Sequence, residues 1–244
     1  MRYFMKLSYN GSKFNGYQKQ VDKRTVQGDL EITLSKIFNS DIRVVASGRT
    51  DAGVHAYNQC LHFDSSKVFD FEKLRYSLNS LLNNIYIKEI YSVSSSFHAR
   101  YDVISKEYVY KINIGEFDPI MEEYIYQYNK NLDIEKMKEA IKFFIGEHDF
   151  RSFTSLDYEK NCNRIIYSAN ISLNDNIISI DFVGNGFLKY MVRNMVGLLI
   201  EIGSSKRDID SVKKILDLKD RKEAGICAPA CGLYLVNVNY SWKI

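Results

Sequence analysis

Apolar and polar residues follow the periods of strands and helices through the first half of the chain. A half-buried strand is predicted by apolar residues at every second position, Tyr3, Met5, Leu7 and Tyr9. After a glycine-containing loop, Thr25 can cap a helix whose apolar residues recur at helical spacing, Val26, Leu30, Leu34, Ile37 and Phe38. Two strands are predicted next, at residues 42–46 and 58–63. A helix capped by Asp70 follows at 71–81, and a strand at 86–93 completes the order βαββαβ.

A comparable succession recurs after residue 105. Strands are predicted at residues 108–114 and 125–128, a helix at 133–144, and a short helix and a last strand at 209–216 and 233–240. Strands at 165–173 and 177–183 flank the turn-forming residues 174–176, which favours an antiparallel hairpin. A helix over residues 190–202 is apolar around most of its circumference, with Arg193 as the exception. The pattern predicts an α+β protein whose halves, residues 1–105 and 106–244, share a central antiparallel sheet flanked by helices.

Composition argues against some classes of protein but does not indicate a binding partner. No apolar run approaches the roughly 20 residues of a membrane span, and the N-terminal residues do not resemble a signal peptide, so we expect a cytosolic protein without membrane contact. The net charge of +3 neither demands nor excludes RNA. Cys227 and Cys231 lie within metal-ligand reach of each other, but no second pair accompanies them, so we expect ordinary buried thiols and no metal site.

One carboxylate is placed as a nucleophile would be. Asp51 lies among small residues just after a predicted strand, with Gly48 and Gly53 on either side and Arg49 two positions away. A nearby guanidinium keeps a carboxylate ionised, and an ionised, partly desolvated carboxylate can attack carbon or stabilise a developing cation. A surface turn is an equal alternative from the spacing alone, since Asp and Gly are common in turns.

The residues around Asp51 resemble the catalytic loop of the TruA family of tRNA pseudouridine synthases, Gly48-Arg49-Thr50-Asp51-Ala52-Gly53-Val54-His55-Ala56. Further segments resemble the family in the same order, at residues 9–18, 26–31, 97–100, 106–110, 146–150, 186–197 and 228–233. The resemblance therefore spans nearly the whole chain. It implies the pseudouridine synthase fold, in which two ferredoxin-like or RRM-like halves share the sheet.

The same resemblance implies a reaction and its residues. A uridine in RNA loses its N-glycosidic bond, the uracil turns, and C5 rejoins C1′, with Asp51 as the nucleophile and no cofactor. Whether Asp51 adds to the sugar, adds to the base or removes a sugar proton stays open. Tyr108 is expected to stack on the uracil, Arg193 to pair with Asp51, and Arg49 and Leu233 to contact the substrate. From the residues alone, Tyr108 and Leu233 also suit a strand core, Arg193 a structural ion pair and Arg49 a solvated surface.

The implied partner is the anticodon arm of tRNA, at tRNA positions 38–40, bound by a homodimer with a shared basic cleft. Four residues are candidates for contact with RNA, Lys13, His55, Arg100 and Lys189. For His55 a role in organising the loop is an alternative, because a lone histidine is more often a hydrogen-bonded structural residue.

The chain departs from the family pattern at three places. Tyr17 stands where tryptophan is usual, Asn10 where aspartate is common, and Asn83 and Asn84 where a leucine-proline pair is frequent. These departures leave open a paralogue that modifies ribosomal RNA. Two other classes compete, a non-catalytic RNA-binding protein and a metal-dependent nucleotide hydrolase. The hydrolase is the weaker, since metal-ligand spacing and a phosphate-binding glycine loop are missing from the sequence.

Overall fold

The computed structural model describes residues 1–155 and 161–241. They form two compact units, Met1–Ile104 with Tyr234–Ile244, and Ser105–Leu233. The α+β class predicted from the sequence, with mostly antiparallel sheet flanked by helices, is confirmed. No helix of the described residues is long and apolar enough to cross a membrane.

The first unit has the predicted βαββαβ order followed by a last strand. Its elements are β1 (Arg2–Tyr9), α1 (Val26–Phe38), β2 (Val44–Ala46), β3 (His55–Asp64), α2 (Phe71–Leu81), β4 (Ile85–Val93) and β10 (Leu233–Tyr240). The strand order is β4-β1-β3-β10, and β2 pairs with β3. The C-terminal strand joins this unit because Tyr234 and Leu235 pair in parallel with His55 and Ala56. The beginning of β3, next to Asp51, is therefore held by strands on both of its sides.

Local sequence accounts for both helices of the first unit. Thr25 accepts a hydrogen bond from the Gly28 amide and Asp70 accepts one from the Lys73 amide, so each side chain satisfies an amide that has no partner within its helix. Helix α2 buries Leu74 and Leu78 and packs on β4. These caps and apolar faces are the features from which both helices are predicted.

The second unit is built on a hairpin. Its elements are β5 (Val103–Asn113), β6 (Tyr126–Gln127), α3 (Ile134–Ile141), β7 (Gly146–Asp149), β8 (Asn163–Asn174), β9 (Ile177–Gly184), α4 (Met191–Gly203) and α5 (Ser211–Leu218). Strands pair in the order β5-β9-β8-β7, and β6 pairs with β5. The predicted hairpin is β8 and β9, and every second residue of β9 is buried. The sequence pattern misses β7 and places the start of β5 five residues late, at Tyr108.

Helix α4 is the buried helix of the second unit. All of its residues are buried except Arg193 and Glu201. The Glu201 carboxylate pairs with Arg207 at 2.7 Å. Apart from Asn194, the buried residues of the helix are apolar or small, and Arg193 is the basic side chain that α4 brings to the edge of the core.

One expectation about the cysteines is wrong. Cys227 is exposed and Cys231 is half-buried, whereas Cys60 and Cys162 are buried. Cys227 follows a short 3-10 helix, Arg221–Ala224, in a surface loop, where the apolar pattern of a strand or helix does not apply. All four are free thiols.

Candidate active site

Asp51 lies on a tight loop that leads into β3. We call residues 48–53 the Asp51 loop. Its end is closed by a hydrogen bond from the Val54 amide to the Asp51 carbonyl, 3.2 Å long, and Gly53 has a φ of 82°, a conformation that favours glycine. The Asp51 side chain is half-buried, whereas Arg49 is exposed. The backbone of the loop is therefore fixed, and Asp51 keeps part of its surface exposed.

The segment after β1 packs directly against the Asp51 loop. The Tyr17 amide donates to the Thr50 carbonyl at 3.1 Å, and Gly16 lies against the backbone of Thr50 and Ala52. Gly11 approaches the Val54 carbonyl so closely that a Cβ atom would lie 2.0 Å from its oxygen. The two segments are packed backbone to backbone, which explains why small residues recur between residues 10 and 17.

Replacement of Gly11 by Ala is expected to destabilise the fold. The added methyl group would overlap the Val54 carbonyl, so the backbone at Gly11 or at Val54 must move, at a cost of about 1–3 kcal/mol. Urea unfolding measures the change in the free energy of unfolding. Gly186→Ala is the matched control, because a Cβ there meets only the Arg164 side chain at 3.7 Å. Equal stability of both variants and the wild type would contradict the packing described here.

His55 ties the two segments together. Its Nδ1 accepts a hydrogen bond from the Gly11 amide at 3.1 Å, and its ring stacks on Tyr234 with centroids 4.7 Å apart. The side chain is only 2% exposed. Of the two roles left open by the sequence, this burial favours organisation of the loop over direct contact with RNA.

Arg193 is fixed to the loop that precedes β10. Its Nε donates to the Ala228 carbonyl at 2.7 Å, and its own carbonyl accepts from the Ala228 amide at 3.0 Å. The guanidinium carbon lies 5.5 Å from the centroid of the Tyr190 ring, a cation–π distance. Tyr190 has a φ of 63° and precedes α4. Sequence reasoning identified Arg193 but missed Ala228 and Tyr190 as the groups that orient it.

Tyr108 and Tyr110 lie on the same face of β5. Tyr108 is 8% exposed, and its ring makes a T-shaped contact with Phe187, with centroids 5.0 Å apart. Tyr110 is fully buried, and its hydroxyl donates to the Pro229 carbonyl at 2.7 Å. Burial raises the pKa of Tyr110 well above its usual value. Tyr110 is thus a structural tyrosine. Tyr108 is also buried, and its contact with a substrate stays a prediction.

The remaining predicted residues occupy different surroundings. Leu233 is buried at the start of β10. Lys13, Arg100 and Lys189 are exposed, and the Lys189 ammonium lies 4.9 Å from the Tyr190 ring centroid. Within the basic segment 19–24, Lys19 pairs with Glu31 at 3.3 Å and Arg24 with Asp29 at 2.9 Å. Part of that segment's charge is therefore neutralised inside the unit.

The predicted site residues fall in two groups. Asp51, Arg49 and His55 belong to the first unit, and Tyr108, Arg193 and Leu233 to the second. The ion pair between Asp51 and Arg193 stays a prediction. Among the described residues, no three histidine, cysteine, aspartate or glutamate side chains are grouped as metal ligands would be.

A family profile and individual relatives of this chain point to the same family of proteins. The sequence profile of the tRNA pseudouridine synthase family matches residues 7–102 and 140–241. A protein of Geobacillus sp. (strain WCH70) named tRNA pseudouridine synthase A is 45% identical over 238 residues, 96% of each chain. Proteins of the same name from Anoxybacillus flavithermus and Limosilactobacillus reuteri (strain DSM 20016) are 44% and 43% identical, covering 96% and 98% of this chain and 96% of their own length.

These matches show that the protein is a pseudouridine synthase. Pseudouridine synthases are isomerases that convert uridine in RNA into pseudouridine, and the non-catalytic alternative is set aside by the length and identity of the matches. Within that class, the chain belongs to the tRNA pseudouridine synthase family.

Proposed function

We propose that this protein converts uridines of the anticodon arm of tRNA into pseudouridine, with Asp51 as the nucleophile. The observation that carries the proposal is the Asp51 loop itself. It presents a half-buried carboxylate at the start of β3, on a backbone fixed by Val54, Gly11 and Tyr17. A catalytic group needs this combination of access and fixed position.

A carboxylate suits the chemistry of this isomerisation. Breaking the bond between N1 of uracil and C1′ of ribose builds positive charge on the sugar, which an adjacent anion stabilises or traps. After the base turns, a bond between C5 and C1′ forms, C5 loses its proton, and N1 gains one. The sum is an isomerisation, with no oxidant or reductant consumed.

Two residues of the second unit are assigned supporting roles. Tyr108 stacks on the target uracil, because an aromatic ring on a strand offers a flat apolar face to a base. Arg193 pairs with Asp51 and keeps its carboxylate ionised. The hydrogen bond from its Nε to Ala228 supports this role, since it limits the directions in which the guanidinium can point.

RNA contact is assigned to the exposed basic residues. Arg49, Lys13, Arg100 and Lys189 can neutralise phosphates, and Leu233 contributes an apolar wall near the substrate. A homodimer would double the number of basic residues along one RNA, which offsets a net charge of only +3 per chain. We assign the enzyme to the cytoplasm, where tRNA is modified.

The test compares RNAs that differ only at the proposed targets. Uridine tritiated at C5 releases tritium when pseudouridine forms, so the assay reads the reaction directly. Release is expected from an unmodified tRNA transcript and is expected to disappear when the anticodon-arm uridines are replaced by cytidine. A ribosomal RNA transcript serves as the third substrate. Release that persists after the replacement, or that occurs from ribosomal RNA alone, would contradict the anticodon-arm assignment.

A further inference from the structure

A chain of buried polar side chains lies behind the Asp51 loop. It consists of Ser47, Gln59, Tyr9 and Thr50, which we call the Gln59 network. Ser47 and Gln59 are fully buried, and Tyr9 and Thr50 are 5% and 8% exposed. The pattern of apolar and polar residues does not predict that these four side chains meet, although Tyr9 and Thr50 lie in segments that resemble the family. Four polar side chains buried together in one unit need a structural or functional reason.

Gln59 is the centre of the network and uses all of its hydrogen-bonding capacity. Its Nε2 donates to the Gly48 carbonyl at 3.1 Å and to the Tyr9 hydroxyl at 3.4 Å. Its Oε1 accepts from the Ser47 hydroxyl at 2.6 Å and from the Cys60 amide at 3.2 Å. A primary amide has two donor hydrogens and one acceptor oxygen with two lone pairs, so every site is occupied. The side chain is therefore held in one orientation.

Tyr9 extends the network to the residue that precedes Asp51. Its hydroxyl and the Thr50 hydroxyl share a hydrogen bond of 2.8 Å. Burial raises the pKa of Tyr9 to about 12, so the phenol stays protonated and neutral at physiological pH. Leu7 pairs with Gln59 in the ladder between β1 and β3, and the register shifts before Tyr9, which pairs with Ala56. The hydrogen bond from Gln59 Nε2 to the Tyr9 hydroxyl shows that the two side chains meet beside the loop.

The network holds the Asp51 loop at two points. Gly48 is held through its carbonyl by Gln59, and Thr50 is held through its side chain by Tyr9. A buried, fully satisfied network is stiff, because each member would lose a partner if the loop moved. A misplacement of about 1 Å at a reacting group can cost on the order of a hundredfold in rate.

We propose that Gln59 and Tyr9 are positioning residues that fix the Asp51 loop so that the carboxylate stays in its reactive place. This inference rests on the proposed function of Asp51. It adds residues that act on the loop through the Gly48 carbonyl and the Thr50 hydroxyl and take no part in the chemical step itself. The effect of removing them should fall on the chemical step, with RNA binding preserved.

The experiment compares two tyrosines on the same strand. Tyr9→Phe removes the hydroxyl that reaches Thr50 and Gln59, whereas Tyr3→Phe removes a buried hydroxyl that donates to the Lys67 carbonyl at 3.1 Å. We expect Tyr9→Phe to lower kcat by about tenfold with KM within about twofold, and Tyr3→Phe to leave both within about twofold. Gln59→Met, which keeps the length of the side chain without its polar atoms, should lower kcat further in the folded fraction.

Amide hydrogen exchange of residues 48–54 gives a second measurement that does not depend on turnover. Exchange is expected to be faster in Tyr9→Phe than in the wild type and unchanged in Tyr3→Phe. The proposal holds only if the fall in kcat and the faster exchange occur together in Tyr9→Phe. Either one without the other, or equal effects in Tyr3→Phe, overturns it.

A parallel measurement on Asp51→Asn separates this inference from the proposed function. Wild-type turnover in Asp51→Asn would refute the role of Asp51, and the positioning role would fall with it. Loss of turnover in Asp51→Asn together with wild-type kcat in Tyr9→Phe would refute the positioning role alone.

Discussion

Asp51→Asn is expected to lower the rate of pseudouridine formation by at least about a thousandfold while tRNA affinity and folding are preserved. Asparagine has nearly the same shape but no charge, so it can neither trap nor stabilise the cationic sugar. The Asp51 loop is held by contacts of its backbone and of Thr50, which this substitution leaves in place. Single-turnover release of tritium from C5 measures the rate, and filter binding measures the affinity.

Asp41→Asn is the matched control for this substitution. Asp41 is exposed in the same unit and pairs with an exposed Arg43 at 3.3 Å, an interaction of little energetic value. The rate of pseudouridine formation by Asp41→Asn is expected to stay within about twofold of the wild-type rate. An Asp51→Asn protein that turns over at the control rate would remove Asp51 from the mechanism.

Arg193→Met is expected to impair both stability and turnover. Methionine fits an apolar helix, but the Ala228 carbonyl loses its hydrogen bond from Nε, and Ala228 is fully buried. We expect a loss of about 1–3 kcal/mol in the free energy of unfolding, because the buried carbonyl loses its guanidinium donor and keeps a weak contact with the Cys227 thiol at 3.9 Å. If Arg193 also pairs with Asp51, turnover should fall by on the order of a hundredfold beyond the effect of unfolding. Urea unfolding and single-turnover assays of the folded fraction measure the two effects.

Arg151→Met provides the comparison for Arg193. Arg151 lies in the same unit, is half exposed, and pairs with Asp149 at 3.8 Å. This control should keep both stability and turnover near the wild-type values, because exposed ion pairs contribute little. Unchanged stability and turnover in Arg193→Met would show that Arg193 is neither a structural anchor nor a partner of Asp51.

Local sequence signals predict most of the fold. Helices α1 and α2 begin at the predicted caps, β1 follows its apolar alternation, and β4 forms where a strand is predicted. Strands β8 and β9 flank the predicted turn at residues 174–176. Strand β7 is missed because its four residues, Gly-Glu-His-Asp, show no apolar alternation, and it forms only by pairing with β8. The parallel pairing of β10 with β3 also cannot be predicted from local sequence patterns, because it joins segments that lie far apart in the chain.

For the candidate site too, the sequence predicts the residues that a local motif marks and misses those that depend on the folded structure. Asp51 can be predicted as a site residue from the sequence, because the motif that points to it lies within one short loop. Gln59 and Tyr9 are not predicted as site residues, because the hydrogen bonds that join them to each other and to the loop connect separate segments of the chain, and both side chains are buried. Tyr190 is missed because its place beside Arg193 depends on a left-handed backbone conformation.

Site-resolved mapping of pseudouridine tests the central claim most directly. Purified wild-type protein and Asp51→Asn are each incubated with unmodified tRNA and ribosomal RNA transcripts, without added cofactor or metal, and every uridine is read. The account predicts pseudouridine in the anticodon arm of tRNA with the wild type and none with Asp51→Asn. Pseudouridine formed equally by both proteins, or absent from tRNA with the wild type, would contradict it.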